Sequence, residues 1–171
     1  TSYSTLNFLY NQLKSRFSEK EYTLIKQNDF PRHEMIEIFK NSKNPILFGT
    51  DSFWEGVDFS RHPRVIEVVT RLPFQNPEDP FTKKMNQELR LEGKNPFYDY
   101  QLPMAIIRLK QAIGRTMRRV GQRSAVLILD SRMASKRYGK QISKALSRTS
   151  RVRVISREQA FIKIQEFLNK Q

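Results

Sequence analysis

The sequence predicts an α/β domain built on a parallel sheet with helices on both faces. Three observations predict it. Short apolar runs recur at 22–27, 45–50, 64–70, 124–130 and 151–156. Segments with helical apolar spacing lie between them. The runs read as continuous apolar strands, the pattern of strands buried on both faces and joined by helical crossovers.

The elements follow in order. Residues 4–16 place Leu6, Leu9, Tyr10 and Leu13 at helical spacing. The opening Thr-Ser-Tyr reads as the end of a strand entering that helix, so the chain is expected to be a fragment lacking its first strand and a further domain. YTLIKQ (22–27) is the next strand. Pro31 opens a helix through about Lys40, with Met35, Ile36 and Phe39 as its stripe; proline is tolerated in a first helical turn. PILFGT (45–50) and RVIEVVT (64–70) are strands. DPFTKKMNQELRLEG reads as a helix closed by Gly93, and Pro103 starts a long helix running to Arg119. SAVLILD (124–130) is a strand, and SRMASKRYGKQISKALS is helical after it. RVRVIS (151–156) and REQAFIKIQEFLNK finish the chain as strand and helix. The stretches 71–80 and 94–103, rich in proline and aromatics, are expected as irregular loops.

Composition narrows the function. A chain of 171 residues is one ordinary domain by size. It has no cysteine, which excludes disulfides and thiolate metal sites, and only two histidines. No run approaches the roughly 18 apolar residues of a spanning helix, and no signal peptide is visible, which fits a cytoplasmic protein without a membrane partner. Lys plus Arg number 31 against 17 acids, a net charge of +14. Such a balance favours polyanions, nucleic acid or nucleotide phosphates above all.

Two stretches carry chemistry. GTDSFWEGVDF (49–59) sets small residues, hydroxyls, two aromatics and three acids directly after a strand. QAIGRTMRR (111–119) lies on the long helix. At about 100° per residue, Ile106, Leu109, Ile113 and Met117 share one face, and Gln111, Arg115 and Arg118 share the opposite one. Two guanidinium groups in one place repel each other unless an anion sits between them, and arginine binds phosphate in a planar, bidentate manner. Gly114 costs about 1 kcal/mol of helix propensity relative to alanine and admits close approach of another surface. Helix geometry alone leaves open a second reading, a solvated basic face joined by Arg108 and Arg119.

Together these stretches resemble motifs V and VI of superfamily 2 helicases. The wording FWEGVDF, then LPF..P.DP, then YDYQLP.A...LKQAIGR..R, is similar to the DinG branch of the XPD-like DNA helicases. The opening TSY resembles motif IV, and LILDSR...K.YGK resembles the segment after motif VI. The resemblance covers nearly the whole chain and implies the second RecA-like motor domain over 1–171, with a helical insertion at about 72–103. It implies ATP with Mg²⁺ in a cleft shared with a first RecA-like domain of the same protein. The phosphate loop G-x-x-x-x-G-K-[ST] is absent from these residues, so this chain alone is expected to be inactive. An iron–sulfur cluster, where the family has one, would lie in the first domain.

Residue roles follow from the same resemblance. Arg115 and Arg118 act as fingers on the γ-phosphate, and Gln111 orients the nucleotide or the attacking water. Gly56, Asp58 and Glu55 adjoin the nucleotide, Asp58 holding an arginine of the finger helix or capping a turn. Ser2, Tyr3, Thr50 and Ser52 contact single-stranded DNA. Phe53 and Trp54 either stack on a base or pack the loop onto the core. Two other functions stay open. In one, the main activity is a 3'-5' exonuclease in a preceding domain and this half regulates or clamps DNA. In the other, the chain is a basic module that only binds nucleic acid.

Overall fold

The computed structural model describes residues 3–17, 21–54, 59, 61–116 and 121–169. The elements run α1 (Tyr3–Lys14), β1 (Thr23–Lys26), α2 (Arg32–Asn41), β2 (Pro45–Phe48), β3 (Arg64–Val69), α3 (Pro80–Leu91), α4 (Leu102–Thr116), β4 (Arg123–Ile128), α5 (Arg132–Ser135), α6 (Arg137–Leu146) and α7 (Arg157–Asn169). A 3₁₀ turn spans Asp51–Trp54 and a π-helical turn spans Phe97–Gln101. The expected alternation of helix and strand is therefore present.

The strands form two two-stranded sheets among the described residues, β1 with β2 and β3 with β4, rather than one sheet. β1 and β2 pair in parallel, from Thr23 opposite Pro45 to Lys26 opposite Phe48. Beside β3 and β4, Arg123 N–H donates to the Pro63 carbonyl and Leu129 N–H to the Val69 carbonyl, each at 2.9 Å. The two bonds join residues equally far apart in sequence, which is the signature of a parallel pair. RVRVIS does not become a strand. Residues 151–156 are irregular, because alternating arginines and apolar residues give no extended segment stability without a ladder partner.

Contacts divide the chain into two compact units, 1–65 with 115–124, and 66–114 with 125–171. In the first unit, Ile25, Met35, Phe39 and Phe53 form the core, with Ile36, Ile38, Leu47 and Phe59 packed against it. This is the stripe expected for α2, joined by β1, β2 and the 3₁₀ turn. Leu6 on α1 is buried, and Tyr10 meets Phe48 edge to face at 5.4 Å.

In the second unit, local signals set the helix ends. Asp79 caps α3, its carboxylate accepting from Thr82 N–H at 2.9 Å and Thr82 Oγ1 at 3.1 Å. Gly93, at φ 73°, ends α3 as expected. Its N–H donates to the Arg90 carbonyl and Lys94 N–H donates to the Leu89 carbonyl, the two bonds of a Schellman cap. On α4, Leu109 and Ile113 of the expected face are buried and Ile106 is half-buried, while Leu102, Ala105 and Ala112 widen that face. Met117 lies outside the described residues.

The helix expected over 131–147 divides into α5 and α6 at Lys136, whose backbone is extended at φ −108° and ψ 145°. Gly139 explains the tight corner. A Cβ there would overlap the Met133 carbonyl oxygen and lie 2.7 Å from the Met133 carbonyl carbon. Backbone cannot move aside as a flexible side chain can. Gly139→Ala should therefore lower stability by about 1–3 kcal/mol or more, read as a drop in the urea unfolding midpoint at unchanged slope.

Candidate functional site

In open α/β folds, ligands sit beyond the carboxyl ends of parallel strands. At that end of β1 and β2 the structure gathers four polar side chains. Gln27 follows β1, Thr50 and Ser52 follow β2, and Tyr3 begins α1. The Gln27 N–H extends the ladder by donating to the Phe48 carbonyl at 2.9 Å. Its side chain turns into the cluster. Oε1 accepts from Thr50 N–H at 2.7 Å and from Thr50 Oγ1 at 3.0 Å. Nε2 donates to Tyr3 Oη at 2.8 Å and to Ser52 Oγ at 3.3 Å. Thr50 Oγ1 and Ser52 Oγ lie 2.9 Å apart. Gln27 and Thr50 are each 8% exposed, whereas Tyr3 is 48% exposed and Ser52 is exposed. Three of the four residues expected to contact DNA are thus brought together; the fourth, Ser2, lies outside the described residues.

Gln27 was missed by sequence reasoning, which placed it as the last residue of a strand. The available signal was a glutamine at the carboxyl end of a strand. The aromatic pair separates: Phe53 is in the core, with the Arg32 guanidinium 5.0 Å from its ring centre, and Trp54 is half-buried. Packing, not base stacking, holds Phe53.

On α4, Gln111 is exposed and Arg115, one turn on, is half-buried. Arg115 makes no hydrogen bond or ion pair among the described residues. Nothing described comes within 4 Å of a Cβ built at Gly114, so the close approach expected there is not made by these residues. Arg118, Glu55, Gly56 and Asp58 lie outside the described residues. No group of three or more His, Asp or Glu able to hold a metal occurs among the described residues. No described helix is long and apolar enough to cross a membrane.

A second polar junction was also unforeseen. Asp130 follows β4 and accepts from Leu72 N–H at 2.8 Å and Arg132 N–H at 3.0 Å. It also receives the Arg132 guanidinium, Nε at 2.9 Å from Oδ1 and Nη2 at 2.6 Å from Oδ2. That guanidinium lies 5.2 Å from the Phe74 ring centre, and Phe74, Phe97 and Tyr138 meet with centroids 5.1–5.7 Å apart. Asp130 thereby ties the LPF loop to the turn before α5.

An α/β fold with parallel strand pairs and a polar edge at the strand ends fits the RecA-like class. The family follows from comparison: residues 1–149 match the helicase C-terminal domain family, and the chain belongs to it. It is 34% identical over 163 residues to ATP-dependent DNA helicase YoaA of Haemophilus influenzae, covering 95% of this chain and 25% of that protein. It is 35% identical over 152 residues to 3'-5' exonuclease DinG of Bacillus subtilis, covering 88% and 16%. It is also 35% identical over 120 residues to ATP-dependent helicase DinG of Mycobacterium tuberculosis, covering 70% and 18%. The chain therefore spans a quarter or less of the length of these relatives.

The Asp130 junction has a pH signature. Burial pushes its carboxyl up, but the Arg132 side chain and the Leu72 and Arg132 amides outweigh this and hold it at about 2, below the ordinary 3.8. A depressed carboxylate stabilises the fold above its unfolded pKa and loses that contribution as pH falls through about 4 toward 2. Arg132 is 37% exposed, so solvent screening trims the effect to roughly 1–2 kcal/mol. Asp130→Asn should trail the parent by that amount at neutral pH. The gap should close between pH 4 and 2 in urea titrations repeated across pH.

Proposed function

We propose that this chain is the second RecA-like motor domain of a DinG-type ATP-dependent DNA helicase or translocase, spanning 1–171 with a helical insertion at about 72–103. The observation that carries the reading is Arg115: a half-buried guanidinium on the QAIGRTMRR helix, without a carboxylate partner among the described residues. A guanidinium partly withdrawn from water gains from an anionic partner, since desolvating a charge is costly. An arginine held ready at a helicase motif is suited to a phosphate arriving from outside the chain.

In this mechanism ATP, with Mg²⁺, binds against the first motor domain of the same protein. Arg115 and Arg118 reach the γ-phosphate and stabilise the charge that develops as it transfers. Gln111 orients the nucleotide or attacking water, and Glu55, Gly56 and Asp58 adjoin it. Ser2, Tyr3, Thr50 and Ser52 form the edge that grips the backbone of single-stranded DNA, while the net charge of +14 supplies general attraction. Closure on ATP and opening after hydrolysis shift that grip along the strand. The protein acts in the cytoplasm.

A second reading is favoured by the Bacillus subtilis relative, whose name is that of an exonuclease. There the main activity lies in a preceding domain and this half clamps or regulates DNA.

The test is ATP hydrolysis by the full-length protein with and without single-stranded DNA, parent beside Arg115→Ala. The motor reading expects DNA-stimulated turnover that falls about 10³-fold or more on substitution, with DNA affinity kept within a few-fold. A parent that shows no stimulated turnover but degrades DNA from a 3' end sinks the motor reading in favour of the second.

A further inference from the structure

The polar edge at the ends of β1 and β2 has a proton order that can be read bond by bond. The Thr50 backbone N–H can only donate, and it lies 2.7 Å from Gln27 Oε1. That contact fixes which end of the carboxamide is oxygen, an assignment otherwise ambiguous. The same oxygen carries no proton and lies 3.0 Å from Thr50 Oγ1, so Thr50 commits its single hydroxyl proton there. The proton in the 2.9 Å contact between Thr50 and Ser52 then belongs to Ser52. The two protons on Gln27 Nε2 point to Tyr3 Oη and Ser52 Oγ, and both oxygens accept. One hydroxyl proton is left without a destination among the described residues. It is that of Tyr3, on a ring 48% exposed.

We infer that Gln27 is a positioning residue that turns the Tyr3 hydroxyl outward as a donor, and that Tyr3 Oη is the atom of this edge that contacts a DNA phosphate. Thr50 and Ser52 act through the carboxamide, their own protons being committed inward. The inference rests on the reading that this edge grips the strand. A phosphate oxygen only accepts hydrogen bonds, so an edge that serves it must present a proton. Replacing the carboxamide by a carboxylate of the same shape reverses the order. The carboxylate still accepts from Thr50, but its second oxygen takes the Tyr3 proton inward and leaves nothing to offer outside.

The experiment uses the full-length protein and single-stranded oligonucleotides carrying one methylphosphonate at successive positions, with affinity read by fluorescence anisotropy. Each methylphosphonate removes the charge and one acceptor oxygen at a single phosphate. The parent should weaken at the contacted position by roughly tenfold, the scale of a hydrogen bond to a charged group. Tyr3→Phe should bind unmodified DNA more weakly by a similar factor and lose sensitivity at that one position. Gln27→Glu should lose the same sensitivity, with the melting temperature confirming that it is folded. Ser52→Ala should keep it, because Nε2 still holds Tyr3. If Ser52→Ala or Thr50→Val loses the sensitivity while Tyr3→Phe keeps it, the proton order is wrong and the strand grip stands. If all the variants keep every sensitivity of the parent, the strand grip at this edge fails and the inference with it. Should Gln27→Glu not fold, the comparison of Tyr3→Phe with Ser52→Ala decides alone.

Discussion

The parallel pairing of β1 with β2 is the constraint on which the polar edge depends. Parallel strands end on the same side, so the residues that follow them become neighbours. With Lys26 opposite Phe48, Gln27 stands beside Gly49 and reaches the amide of Thr50. A slip of one residue would move Gln27 by about 3.3 Å along the strand and turn its side chain to the other face. Either change is larger than the tolerance of a 2.7 Å hydrogen bond. The register is itself held by the apolar residues beneath it, since Ile25 and Leu47 pack in the core with Met35, Phe39 and Phe53. Packing sets register, register sets the polar contacts, and the contacts set the direction of a proton.

Much of the fold was legible because its signals are local. The apolar stripe of α2, the glycine that closes α3 and the proline near the start of α4 act within a few residues of themselves. The misses were of a different kind. RVRVIS has strand-like composition, but a strand exists only when another lies beside it, and that is a property of the whole fold. The break between α5 and α6 hides in a run with good helical periodicity. It is set by how closely Gly139 approaches the backbone at Met133, and sequence spacing carries no distance. The π-helical turn at Phe97–Gln101 was likewise invisible: proline and aromatics announced an irregular loop, and they say nothing about how five residues wind into α4.

The candidate site divides on the same line. Tyr3, Thr50 and Ser52 were marked by motif, and the structure places them within one hydrogen-bond network. The residue that connects them was not marked. A glutamine at a strand end is common, and its importance comes only from the carboxamide having both a donor and an acceptor side. Hydrogen bonds linked in this way polarise one another, so the four members reinforce one another more than isolated pairs do. Asp130 escaped notice for a parallel reason. In sequence it is one acid in a long basic chain. In the fold it collects two amides and a guanidinium, and joins segments nearly sixty residues apart.

Arginine shows how partners, rather than residue type, decide a role in so basic a chain. Arg132 is enclosed by contacts: a two-pronged ion pair with Asp130 and the face of Phe74. Its charge is spent on holding the fold, and an anion would have to displace a carboxylate to use it. Arg115 sits at similar depth with no carboxylate among the described residues. It is half-buried on a helix whose buried residues include Leu109, Ala112 and Ile113. The helix therefore holds in place a cation whose electrostatic requirement the described residues do not meet. Among the described residues, a carboxylate is thus supplied to Arg132 and not to Arg115.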